Sequence, residues 1–161
     1  MLPRLICAAL VLAPNQAIAQ SCLNQQEAEA LVTFALPTAV RAVTSKCTPV
    51  LPATTALVQS GPVIAARYQV DADKAWPMAR LAFDKMAGLE VAKALGDSVA
   101  RGLIDGAIGT GLVEKLKPSD CAKVDRIVDI LQPLPTRNMA LLITTLMELG
   151  QAEKQKKSPF K

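Results

Sequence analysis

The chain has 161 residues and no histidine, which removes the commonest general base, the usual activator of a serine or cysteine nucleophile, and the commonest transition-metal ligand. Carboxylates are what remains for acid–base work. Asp125 and Asp129 stand at i, i+4, a spacing that puts both on one helix face. Lys123 and Arg126 lie beside them in sequence, and the apolar positions of the same segment fall elsewhere, so the pattern describes a solvated polar face and not a catalytic dyad. Asp71 and Asp73 imitate the start of a calcium loop, but the glycine and terminal glutamate of an EF-hand do not follow. They read more simply as helix caps. No G-x-x-x-x-G-K-[ST], G-x-G-x-x-G or C-x-x-C pattern occurs. The sequence therefore assigns no catalytic residue, no metal ligand and no cofactor.

Recognition is better served. Aromatic residues are scarce, and the single Tyr and single Trp each combine an apolar body with a hydrogen-bonding tip. Arg67, Tyr68 and Trp76 are the candidate recognition surface. Core packing is the competing role for Trp76, which begins an apolar stripe continued by Ala79, Phe83 and Met86.

Cysteine spacing bears on compartment and connectivity. Cys7 falls in the apolar start of the chain, leaving Cys22, Cys47 and Cys121, an odd number that predicts one bridge and one spare thiol. A single helix over residues 24–46 would hold its ends about 35 Å apart, and a disulfide needs alpha carbons within about 7 Å. The predicted bridge is Cys47–Cys121. The alternative, Cys22–Cys47, requires a sharp reversal at Pro37.

Residues 1–19 read as a secretory signal peptide. Arg4 supplies a positive start, residues 5–13 (LICAALVLA) an apolar run, Pro14 a break, and Ala17-Ile18-Ala19 a cleavage context. That run is too short to span a bilayer, which takes about 20 apolar residues. The mature protein is expected to begin near Gln20 and to act in the periplasm or outside the cell. A net charge of +4 spread along the chain does not indicate nucleic acid. The cationic cluster Lys154, Lys156, Lys157 and Lys161 marks a basic flexible tail over 154–161, able to touch anionic lipid but lacking the second signal that stable anchoring needs.

The elements that must position these residues are helical throughout, because apolar residues recur at helical spacing and period-two alternation is nearly absent. The expectation is one all-α domain over 20–153, a small orthogonal or irregular bundle of five to seven helices. Asn24 with Glu27 forms a capping box, and an apolar face runs from Ala28 past a break at Pro37 to Val43. A short helix from Pro52 should stop at Gly61, another should start at Pro62 and run through Tyr68, and a third, capped by Asp71 or Asp73, should end at Gly88. An amphipathic helix follows from Leu89. It runs into Gly102, Gly106, Gly109 and Gly111, each costing roughly 0.8–1.0 kcal/mol against alanine, so close helix packing is expected there. Ser119 caps the next helix. Residues 139–149 (MALLITTLMEL) are apolar on most sides and should form the buried centre.

The function class that follows is a non-enzymatic interaction or ligand-binding module, with another envelope protein as a possible kind of partner. A peripheral membrane-surface protein using the basic tail and the amphipathic region after Leu89 is the second reading, and a carboxylate-dependent enzyme without a motif the third.

Overall fold

The computed structural model describes residues 23–88 and 91–157. The leader expected over 1–19, Cys22 and Lys161 lie outside the described residues, and Lys154, Lys156 and Lys157 are described by backbone alone. Six helices and no strand are present among the described residues: α1 (Gln25–Cys47), α2 (Ala56–Ala87), α3 (Val91–Leu95), α4 (Asp97–Lys115), α5 (Cys121–Leu131) and α6 (Thr136–Lys157). The protein is all-α, as its apolar periodicity predicts.

Helix α1 starts on the predicted capping box. Asn24 Oδ1 accepts the Glu27 backbone N–H at 2.9 Å, and Glu27 Oε2 accepts that of Asn24 at 3.0 Å. Pro37 does not end the helix, which continues to Cys47. An interior proline costs about 3 kcal/mol, and here burial offsets it: Phe34, Leu36 and Pro37 itself are all buried. One unbroken α1 also disposes of the Cys22–Cys47 alternative, since its 23 residues separate the two ends by about 35 Å. Cys47 instead bonds Cys121, with alpha carbons 5.5 Å apart.

Helix α2 corrects the reading of three short helices. It is one helix of 32 residues that passes through Gly61, Pro62 and Pro77. Gly61 marks a crossing, not a stop: a Cβ there would lie 2.4 Å from Thr44 Oγ1 of α1, so only glycine lets the two helices approach this closely. Asp71 and Asp73 lie inside α2 and cap nothing. Asp71 pairs with Lys74 at 3.5 Å, and Asp73 accepts from Arg101 of α4. The predicted stop at Gly88 holds, with φ +66° at the helix end, a left-handed conformation that glycine adopts without penalty.

The helix expected from Leu89 divides at Gly96, φ +83°, into α3 and α4. Close packing of its glycines occurs at Gly109, where a Cβ would meet Thr38 and Ala42 of α1 at 3.6 and 4.0 Å; the positions above Gly102, Gly106 and Gly111 are open. Ser119 falls within a 3-10 turn, Pro118–Asp120, and the N-cap position of α5 belongs to Asp120.

Residues 139–149 are not the buried centre. Met139, Ala140 and Thr144 are buried, but Leu146, Met147 and Leu149 are more than half exposed. The reason is topological. The backbone of α6 runs close to α1 alone, with its first turns also meeting Ile64 and Tyr68 of α2 through Met139, whereas α1 contacts α2, α4, α5 and α6 and is the central element. The helical backbone of α6 continues to Lys157, through a stretch predicted as the start of a polar tail.

Candidate functional site

Helices α4 and α6 both lie on α1 but hardly touch each other, and the slot between them is an apolar groove in two adjoining halves. One half, of about 470 Å³, is walled by α5, α6 and the Ile64–Tyr68 stretch of α2. The other, of about 540 Å³, is walled by α4, Phe83, Met86 and Met147. Leu36, Ala39, Leu112 and Ile143 line both halves. Leu31, Ala35, Ala39 and Val43 recur every four residues along the floor, so the groove follows α1 for about 18 Å at 1.5 Å per residue.

Small side chains make the space. Ala35, Ala39, Ala107 and Gly111 occupy positions where a leucine would close it, and nothing lies within 4 Å of a Cβ built on Gly111. Gln132 is the one lining residue with a side-chain amide; with the Tyr68 hydroxyl set aside, the others are apolar. Each half falls in the size range of small-molecule sites. Along the rim Leu112, Ile127, Leu142, Leu146, Met147 and Met86 are exposed, a continuous apolar surface of the kind that marks interaction sites.

Of the predicted recognition residues, Arg67 and Tyr68 come together beside one half of this groove, which Tyr68 lines and Arg67 does not. Tyr68 is 1% exposed, and its hydroxyl is buried without a hydrogen-bond partner among the described residues. Arg67 is exposed, sits 5.2 Å over the Tyr68 ring and donates to the carbonyl of Gln132. Its guanidinium makes no ion pair among the described residues. Trp76 is elsewhere, in the cluster with Phe34, Ala79 and Ile104. Its ring centroid lies 4.9 Å from that of Phe34 and its Nε1 donates to Asp97 Oδ2 at 2.7 Å. Both parts of Trp76 are thus used in holding α4 to α1 and α2.

The carboxylates do not converge. Asp125 Oδ1 accepts the Leu57 backbone N–H at 2.7 Å, while Asp129 accepts from Gln132 Nε2 at 3.4 Å. The hydrogen bond from Lys85, reinforced by the Asn24 backbone N–H, holds the Glu27 carboxyl below the usual range. Asp73 is held low by Arg101 first and Gln69 second. Such shifts keep a carboxylate ionised, whereas a general acid needs its pKa raised. Among the described residues no group of three or more acidic or cysteine side chains could hold a metal ion, and no helix is long and apolar enough to cross a membrane.

The groove escaped the sequence reading because the apolar side chains that line it are the same types that fill cores. The one signal in the sequence is the run of alanines on a single face of the α1 segment, Ala35, Ala39 and Ala42, opposite a helix too apolar to be covered by one neighbour. No protein-family model, curated protein or solved structure matches the chain.

Proposed function

We propose that this chain is an exported, non-enzymatic binding module that acts in the periplasm or outside the cell and seats an apolar or amphipathic ligand in the groove along α1. The groove itself carries the reading: an 18 Å furrow of apolar side chains open between α4 and α6 loses about 25 cal/mol for every Å² of apolar surface left wet. A ligand recovers that loss. The leader-like residues 1–19 and the buried Cys47–Cys121 bridge fit an oxidising compartment.

Titration of the purified, disulfide-bonded protein with Nile red, a neutral solvatochromic dye, tests the proposal. Saturable binding with a blue shift is expected, and Ala39→Phe, which fills the point where the two halves meet, is expected to abolish it while leaving the helical circular dichroism intact. Emission that never saturates, or that is unchanged in Ala39→Phe, overturns the reading.

Contact with a membrane surface is a second reading, supported by Leu95, Val99 and Leu103. All three are at least half exposed; Val99 and Leu103 stand four residues apart on one face of α4, and Leu95 ends α3. Flotation with anionic vesicles, lost in Val99→Ser/Leu103→Ser, is its test.

A further inference from the structure

We infer that the amphipathic ligand of the groove is helix α6 of a second copy of this chain, its leucine ridge laid between α4 and α6 of the first copy and the first copy's ridge laid likewise in the second; this rests on the binding-module reading above. Leu142, Leu146 and Leu149 stand at i, i+4 and i+7 along one side of α6 and are 37%, 58% and 60% exposed, a stripe of the spacing that helices ordinarily bury. The ridge is about 10 Å long and the groove about 18 Å. At Ala35, Ala39, Ala107 and Gly111 the groove lacks side chains of leucine size, and the ridge supplies leucines.

Extent, composition and symmetry favour a copy of the chain over a small molecule. A molecule held inside the groove leaves the rim wet: the apolar rim side chains are 37–58% exposed, and Leu149 lines neither half. With Leu149 they present on the order of 600 Å² of apolar surface, against about 800 Å² per partner in a stable protein–protein interface, whose outer part is a polar rim. Charge is depleted and methionine enriched at the centre of such interfaces. Residues 139–147 carry no charge, and Met86, Met139 and Met147 all line the groove. The concave and convex surfaces lie side by side, so one two-fold rotation sets each copy's ridge over the other's groove, the arrangement of an isologous dimer. A two-fold contact also brings the ridge near its own image, where any charge would meet its like; Leu142, Leu146 and Leu149 offer none.

Sedimentation velocity of the purified, disulfide-bonded protein tests this, with Cys22→Ser as the parent so that no bridge between chains supplies the association. The mass is expected to rise from one copy to two between about 1 and about 200 µM protein and to stop there, because a two-fold contact closes on itself. Leu149→Glu, outside both halves of the groove, should weaken the dimer about thirtyfold or more, the scale of an interface hot spot, with the helical circular dichroism unchanged. Ala39→Phe should do the same from the groove side. Dye and second copy compete for one site, so the affinity of the parent for Nile red should fall as its concentration rises through the transition, and that of Leu149→Glu should stay constant. A parent that stays monomeric, whether or not a lysophospholipid displaces its dye, growth beyond two copies, or a dimer untouched by both substitutions overturns the inference; saturable dye binding to Leu149→Glu then leaves the groove reading standing. Failure of Nile red to bind Leu149→Glu overturns both.

Discussion

Asp125 of α5 caps α2 across 68 residues of sequence: its Oδ1 accepts the backbone N–H of Leu57 at 2.7 Å, where the side chain of Thr55, at the N-cap position, caps nothing. A helix start carries unsatisfied N–H groups and a partial positive charge, so an ionised carboxylate there does the work of a local cap and complements the dipole. Asp125→Ala is expected to cost about 1 kcal/mol, the usual value of a lost cap, and Thr55→Ala much less. Thermal unfolding of the two variants checks the order, and equal loss would show that Thr55 shares the capping.

The same pair shows where the sequence is legible and where it is not. Features decided within a few residues are readable: the Asn24–Glu27 box, the left-handed stop at Gly88 and the helical period. Cys47–Cys121 is within reach because the length of one helix excludes Cys22–Cys47 and both Cys47 and Cys121 fall at predicted helix ends, where a bridge can join loops. Features decided by distant segments are not. Gly61, Pro62 and Pro77 are local breakers, and α2 passes through them because burial of Leu57, Ile64, Tyr68 and Trp76 outweighs the local preference. The groove is less readable still, since it exists only because α4 and α6, each on α1, fail to close on one another.

Reduction of the Cys47–Cys121 bridge is expected to be strongly destabilising. The two cysteines are 74 residues apart, and the chain-entropy model gives a loop of that length about 4 kcal/mol at 25 °C. Both are buried, at 0% and 1% exposure, beside Leu57, so the bond also ties α5, with its Asp125 cap, to the end of α1. Non-reducing peptide mapping should return this pair, and Cys47→Ser/Cys121→Ser should lower the denaturation midpoint sharply. A midpoint unmoved by reductant would contradict the bridge.

Acid sensitivity follows from Glu27. Its carboxyl is held low by the hydrogen bond from Lys85 and the Asn24 backbone N–H, so the folded state binds a proton less readily than the unfolded chain. The stabilisation is fully present above the unfolded glutamate pKa, near 4.3, and is lost as pH falls through the folded value. Asp73 acts in the same sense through Arg101 and Gln69. Urea midpoints measured from neutral pH down to about pH 3 should fall for the parent protein and fall less steeply for Glu27→Gln, which is also expected to be the less stable of the two at neutral pH. Parallel pH profiles would remove Glu27 from the account.

Gly61 and Thr44 set up the sharpest test of the α1–α2 crossing. A Cβ at position 61 would lie 2.4 Å from Thr44 Oγ1 and 3.2 Å from its Cγ2, and threonine in a helix has few rotamers with which to give way. Gly61→Ala is therefore expected to destabilise by about 1–3 kcal/mol, the range for overpacking. That Oγ1 is itself buried without a hydrogen-bond partner among the described residues, so Thr44→Ala removes an unsatisfied group and should cost little or nothing. Combining them separates steric from intrinsic effects. With Oγ1 and Cγ2 gone, the nearest remaining atom to the alanine at 61 is the Cβ of residue 44, 3.3 Å away, a contact that a shift of a few tenths of an ångström relieves. The helix then gains the roughly 0.8–1.0 kcal/mol by which alanine exceeds glycine in a helix interior. The double variant should be at least as stable as the parent, with a coupling energy above 1 kcal/mol in a thermal or urea double-mutant cycle. Additive losses would show that the glycine is required by the backbone of α2 and not by its neighbour.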